Sequence, residues 1–478
     1  MKTMTATRRL AHWLLLGVLA TFVSATHGQT PLAWEQTKYF QYNIENVTVT
    51  SVGTGSWAVK VIFSVSNPVL MNVWNIKEAL PFQSAGASIT ADFAWDGREF
   101  TNTGSSGGLA PLAGASAPLG TGAAMPVQVR SLQSTTAATR ATPCASATDC
   151  PNVPDLTNRY WVSKTVTLVP PTVKYGRVAI EGRPVCNGLP NCPAPVVTSV
   201  VTSTGTTTST TYANIPVTSA TADFEFTPSN LAKVANQRRQ IVDIAKCQGC
   251  HDDKQHGDTI IPRLSLHGGN RNENLNLCVV CHNPNQTDVN FRYYDPVKPP
   301  ADARVYGPET PIDFKTMVHS IHAGGFRKTP YVVIGFQSSV NDFSEVRFPA
   351  ELRKSCLKCH VVDAATGKGS YELPLKSTVL GTTVKTQSAY LAPDKSPQRS
   401  IDVNPDNDLK ITPTAATCSA CHDNSEVRSH MIKTGGASFG TTQDKIGVTV
   451  KERCANCHGP GKDKDVRKVH ELSSTSSD

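Results

Sequence analysis

Residues 247–251 read Cys247-Gln248-Gly249-Cys250-His251. The pattern returns four times, as Cys278-Val279-Val280-Cys281-His282, Cys356-Leu357-Lys358-Cys359-His360, Cys418-Ser419-Ala420-Cys421-His422 and Cys454-Ala455-Asn456-Cys457-His458. Cys-x-x-Cys-His is the attachment signal for c-type haem. Two thiols at a fixed short spacing match the two vinyl groups of one porphyrin. The imidazole that follows lies under the iron as its proximal ligand. With 14 Cys and 13 His in 478 residues, chance placement gives about 0.01 copies. Zinc is the competing reading of paired cysteines, but zinc ribbons need no His after each pair. The motifs therefore predict five covalently bound haem c groups.

What fills the sixth position of each iron decides the chemistry. An open position admits small molecules, and a filled one leaves electron transfer. Beyond the first 30 residues and outside the motifs, the histidines are His256, His267, His319, His322, His430 and His470. All lie in the haem-bearing half, so five bis-histidine irons are expected. His267 sits before Gly268-Gly269, which lets backbone and porphyrin approach closely. His319 and His322 share one helix face and can serve two haems. His430 and His470 complete the set, with His470 close enough in sequence to cap the last haem. His256 reads as a solvent-facing loop residue. Met317 and Met431 each neighbour a better-placed His. No catalytic residue is assigned, and no motif carries the Lys-for-His change that marks an active haem.

The other four cysteines, Cys144, Cys150, Cys186 and Cys192, lie in the first half. Disulfides are expected of an exported chain. Three connectivities are possible, and the local pairs Cys144–Cys150 and Cys186–Cys192 are the first choice. Trp57, Val59, Val61, Phe63 and Val65 alternate with Ala58, Lys60, Ile62 and Ser64, a strand apolar on one face. Ile44, Val47 and Val49 mark a preceding strand. Tyr160 to Val169, Tyr175 to Ile180, Pro195 to Val201 and Ala220 to Phe226 mark four more. Residues 102–143 read as a long, partly mobile loop, and Thr202 to Thr211 as a hairpin tip. Leu231, Val234, Ile241 and Ile244 space a helix over 229–246 into the first motif. Beyond it, regular elements are scarce, because five apolar discs would replace a side-chain core. The expected fold is an N-terminal all-β domain (Greek-key/split-barrel or sandwich) over 29–228. A multihaem domain of short helices and loops follows over 229–478.

Lys2, Arg8 and Arg9 precede an apolar stretch from Leu10 to Val23, and small residues follow near Ala25 and Gly28. This reads as a signal peptide over 1–28, hence an exported chain. No Cys precedes Cys144, so no lipoprotein cysteine is expected, and no later run is long enough for a membrane span. The formal charge of +8 is spread without a basic run, which gives nucleic acid no footing.

Lys246-Cys247-Gln-Gly-Cys250-His251-Asp252, Leu266-His267-Gly268-Gly269-Asn270-Arg271, Cys278-Val-Val-Cys281-His282-Asn283-Pro284 and Val318-His319-Ser-Ile-His322 resemble the outer-surface multihaem cytochromes of the OmcA/MtrC family. The match covers about 236–470. Those proteins alternate β domains with pentahaem domains, and this chain looks like one such half. The resemblance implies electron transfer at the cell surface, to metal oxides, flavins or other acceptors. It implies other redox proteins as partners, among them periplasmic or outer-membrane cytochromes and a porin–cytochrome complex. It also implies distal roles for His267, His319, His322, His430 and His470. Two other readings stand beside it: an exported redox enzyme with one open iron, or a subunit of a cytochrome filament.

Overall fold

The strand read from Trp57 to Val65 runs from Ser56 to Asn67 in the computed structural model of the chain. The structure describes residues 32–95, 110–111, 126–137, 140–167, 169, 172–202, 205–256, 259–292, 302–364, 366–388, 398–399 and 405–472. The signal segment and, within the expected loop over 102–143, residues 102–109, 112–125 and 138–139 lie outside them.

In chain order the N-terminal strands are β1 (Gln41–Gly53), β2 (Ser56–Asn67), β3 (Asn72–Val73), β4 (Ser88–Trp95), β5 (Ala110–Pro111), β6 (Val127–Val129), β7 (Thr142–Pro143), β8 (Tyr160–Val166), β9 (Tyr175–Arg183), β10 (Val196–Thr202), β11 (Gly205–Thr211), β12 (Ala220–Glu225) and β13 (Lys233–Val234). One antiparallel sheet runs β1-β2-β8-β7, with β3 also on β2. The second runs β13-β12-β9-β4-β6. Val59, Val61, Phe63 and Val65 of the first face Ile89, Phe93, Trp95, Val178, Ile180 and Phe224 of the second in one core. This is a sandwich, and among the described strands neither sheet closes into a barrel. One edge is stitched: Val49 and Ser229 exchange two backbone bonds of 2.9 Å, and Ala232 donates to Val47.

Period 2 predicts one apolar face on β2. The opposite face also disappears from water, because Ile62 packs against Cys144, Cys150, Val153 and Trp161. Cys144–Cys150 forms one disulfide and Cys186–Cys192 the other, with Cα separations of 5.7 and 5.4 Å. The first folds a loop over the outer face of the sheet. Lys60 accommodates it by donating to the Asp149 carbonyl at 3.0 Å.

Three expectations need correction. No helix spans 229–246. Ser229 to Ala232 bonds to β1, Lys233–Val234 joins β12, and only Ile244–Gln248 is helical, capped by the Asp243 carboxylate. The apolar spacing there serves separate contacts, and Leu231 is exposed. Within 102–143, β6 pairs with β4 and Leu132 is fully buried, so the end of that stretch is part of the fold. Thr206 to Thr211 is the return arm of the β10–β11 hairpin, paired in register with Val196 to Val201. Strand β4 was not anticipated. It is buried on both sides, since its inner face meets the core and Ala94 on its outer face meets Val279 and Val280.

Beyond β13 the chain is short helices and two-stranded ribbons. After α1 (Leu80–Gln83), the helices are α2 (Ile244–Gln248), α3 (Leu275–Cys281), α4 (Phe314–His322), α5 (Pro413–Cys418), α6 (Ser425–Lys433), α7 (Ala455–His458) and α8 (Val466–Val469).

Candidate functional site: five histidine pairs

Each Cys-x-x-Cys-His motif is one helical turn. The His backbone N–H donates to the carbonyl of the first Cys in all five: His251 to Cys247, His282 to Cys278, His360 to Cys356, His422 to Cys418 and His458 to Cys454, at 2.8–2.9 Å. Positions one, four and five of a turn share a face, so both thiols and the imidazole point the same way. Helices α2, α3, α5 and α7 supply or adjoin four of these turns, and a 3₁₀ turn at Cys356–Lys358 supplies the third motif.

Every motif histidine faces one histidine from outside the motifs. Ring centroids are 6.2 Å apart for His251–His322, 6.0 Å for His267–His282, 5.9 Å for His319–His360, 6.1 Å for His422–His470 and 6.2 Å for His430–His458. Two metal–imidazole bonds of about 2.0–2.1 Å, plus the two ring radii, require roughly 6.3 Å between centroids. The pairs therefore fit a haem iron held between two imidazoles, with the motif thiols placed for the porphyrin. They do not suit a bare metal ion: among the described residues no group of three or more His, Cys, Asp or Glu side chains converges.

The rings are also oriented. Nδ1 lies 2.8–3.0 Å from a backbone carbonyl in His251 (Pro262), His282 (Ile312), His322 (Val318), His458 (Lys464) and His470 (Arg353). Nδ1 of His360 meets the Ser370 hydroxyl at 2.8 Å. A ring that donates through Nδ1 presents the Nε2 lone pair, the arrangement that fixes a metal-binding tautomer. Burial disfavours the protonated form of His267, His282, His319, His322, His360 and His422. It pushes His267 down to about 3, helped by Arg271, and His319 and His360 down to about 4. These carbonyl partners could not be read from residue types, because the backbone supplies them.

Helix α4 organises three of the pairs. His319 reaches the third motif and His322 the first, while the Phe314 N–H at its start donates to the His282 carbonyl of the second at 3.0 Å. The first and third motifs are stitched by Asp243 N–H to the Cys359 carbonyl and by Lys246 Nζ to the Leu357 carbonyl. The fourth and fifth are tied by Arg453 N–H to the Gly435 carbonyl, and by Glu452, which accepts from the Thr414 and Ala415 N–H groups. The second leans on the β domain, where the Arg177 guanidinium donates to the Asn276 carbonyl on α3.

Two local expectations are revised. His470 does not face the nearby His458. It crosses to His422, and His430 takes His458. A turn of only Val466–Val469 aims His470 away from the motif that precedes it. His256 is paired with the Asp252 carboxylate at 2.8 Å rather than simply facing solvent, and it stands outside the five ring pairs. That contact holds Asp252 well below the ordinary carboxylate range.

A chain with a β-sandwich ahead of five such turns has the architecture of a multihaem c-type cytochrome. Residues 239–471, just under half of the chain, match the family model for outer membrane cytochromes, MtrC/MtrF-like, domains II/IV. No curated protein matches it. Among solved structures it is similar to the outer membrane decahaem cytochrome OmcA, with 19% identity and a TM-score of 0.34, over 70% of this chain and 41% of that one. The chain thus spans under half the length of that protein. No described helix is long and apolar enough to cross a membrane.

Proposed function

We propose that the chain is an electron-transfer cytochrome that holds five haem c groups, each between two histidines. One observation carries this reading. Five motif histidines meet five other histidines one to one, each at the spacing of an iron with two axial imidazoles. Cys247 and Cys250, Cys278 and Cys281, Cys356 and Cys359, Cys418 and Cys421, and Cys454 and Cys457 would form the thioethers. His251, His282, His360, His422 and His458 would be proximal, and His322, His267, His319, His470 and His430 respectively distal. The haems supply one-electron chemistry, and the protein sets their axial ligands, burial and hydrogen bonding. With both axial positions taken, the arrangement favours relay over substrate turnover.

The match of residues 239–471 to an outer membrane cytochrome family model supports a place in extracellular electron transfer at the cell surface. Acceptors there would be metal oxides or flavins, and donors other cytochromes, including a porin–cytochrome complex. The test is spectroscopic. Haem quantified against protein should give five per chain, and the ferric spectrum should be wholly low-spin. A stoichiometric high-spin signal, or carbon monoxide binding by one reduced haem, would favour the redox-enzyme reading instead.

A further inference from the structure

The outer face of the second sheet carries charges that the electron-transfer reading does not use. Thr90, Asp92 and Ala94 alternate on that face of β4. Glu181 lies opposite Thr90 on β9, so Asp92 and Glu181 are diagonal neighbours. Both carboxyls are buried, 1% and 3% exposed. Among the described residues one cation lies within bonding distance: Arg271 donates Nη2 to Glu181 Oε1 at 2.8 Å, and its Nε is 2.6 Å from Oε2. Asp92 receives a single bond, from Gln128 Nε2 to Oδ1 at 2.8 Å, and its Oδ2 has no hydrogen-bond partner. Two buried carboxylates share the one guanidinium in contact, that of Arg271, while Arg130 acts on them only from a distance, so one negative charge is incompletely compensated and a proton answers that more cheaply than a rearrangement.

The cluster abuts the second motif. Ala94, two residues along the same face from Asp92, packs against Val279, Val280 and Cys281. Arg271 pairs with Leu266, the residue before His267. The cluster lies one side chain from the surface, since Gln128, which donates to Asp92, accepts from the exposed Arg130 at 2.6 Å.

We propose that Asp92 and Glu181 form a one-proton site that loads from solvent when the centre held by Cys278, Cys281, His282 and His267 is reduced. The proposal rests on the haem reading above. A haem held there would take one electron from an external one-electron reductant. One proton passes from water onto a carboxylate, –COO⁻ becomes –COOH, and the local charge is unchanged. The groups facing the pair are Arg271 from the ribbon beneath it, Gln128 and Arg130 from β6, and Cys278 and Cys281 from α3. Burial, then mutual repulsion, raises Glu181 to about 8, and burial raises Asp92 above the ordinary carboxylate value as well.

The experiment counts protons. Haem-loaded full-length protein is reduced with dithionite in weakly buffered solution near pH 8, and uptake is measured for wild type, Asp92→Asn and Glu181→Gln. Each variant should take up about half a proton less per chain or lower. Unchanged uptake in both, with haem content intact, overturns the proposal. Reduced-minus-oxidised infrared spectra of the wild type guard against a folding defect in the variants: a protonated-carboxyl band should grow on reduction, and its absence also overturns the proposal. Failure of the underlying reading would look different, as fewer than five haems per chain before any proton is counted.

Discussion

His319 and His360 stack 5.9 Å apart with their rings 17° from parallel, while three residues along the same helix His322 meets His251 at 90°. One short helix thus supplies a partner to two different motif histidines. Removing either histidine should open one iron and leave the other four. His319→Ala and His322→Ala should each convert about a fifth of the haem to a high-spin, carbon-monoxide-binding form, and the double variant about two fifths. If the double variant matches either single one, the two histidines serve one centre and the pairing is wrong.

His256 tests the assignment from the other side. It is the remaining histidine of the haem-bearing half, and its Nε2 is engaged by Asp252. His256→Ala should leave the low-spin spectrum and the haem count unchanged. His267→Ala, which removes the partner of His282 at 6.0 Å, should not. Optical spectra of the two purified variants, side by side, decide it.

The ten histidines that form the five ring pairs were readable because the Cys-x-x-Cys-His pattern is a fixed pentapeptide, and because surplus histidines are rare. Pairing was not readable. His470 crosses to His422 because a four-residue helical turn sets its direction, and no local pattern encodes that turn's angle. Strand β2 announced itself by alternation, since its inner face meets a core of side chains. Helical spacing over 229–246 misled because those apolar residues answer to β1 and β12 instead of to one helix face. The Asp92–Glu181–Arg271 cluster was invisible because its members are about 90 residues apart and lie together only through strand register.

Lys410 gives a pH-dependent term in stability. Its ammonium is buried, donating to Asn285 Oδ1 at 2.7 Å and Thr383 Oγ1 at 2.6 Å. Burial pushes it from 10.5 down to about 8, with Lys315 adding to the fall and Asp408 opposing it. Between those two values the unfolded chain binds more protons than the folded one, so this contribution makes stability rise with pH from about 8 to 10.5. Below 8 the full cost of burying the charge is present. Denaturant midpoints of wild type and Lys410→Met, compared from pH 7 to 10.5, should converge as pH rises, with a change in their difference on the order of 1–3 kcal/mol. A constant difference would place the proton on Lys410 in both states.

Arg177 joins the two halves of the molecule. Its guanidinium grips Asp223 on the neighbouring strand β12 through Nε at 2.5 Å and Nη2 at 3.0 Å, with both side chains 1% exposed. Its Nη1 reaches the Asn276 carbonyl on α3, the helix that carries the second motif. Truncating one partner of a buried pair strands the other charge, at a cost of about 3–5 kcal/mol. Arg177→Met should therefore destabilise strongly, and Arg177→Met with Asp223→Leu should recover much of the loss, because no ion is left unpaired. The Asn276 contact separates stability from site geometry. It is lost in both variants, so a shift in the second centre's reduction potential should persist in the double variant after stability has returned. Chemical denaturation and a redox titration of the two variants measure the two effects independently. Recovery of both together would mean that Arg177 acts only through the ion pair.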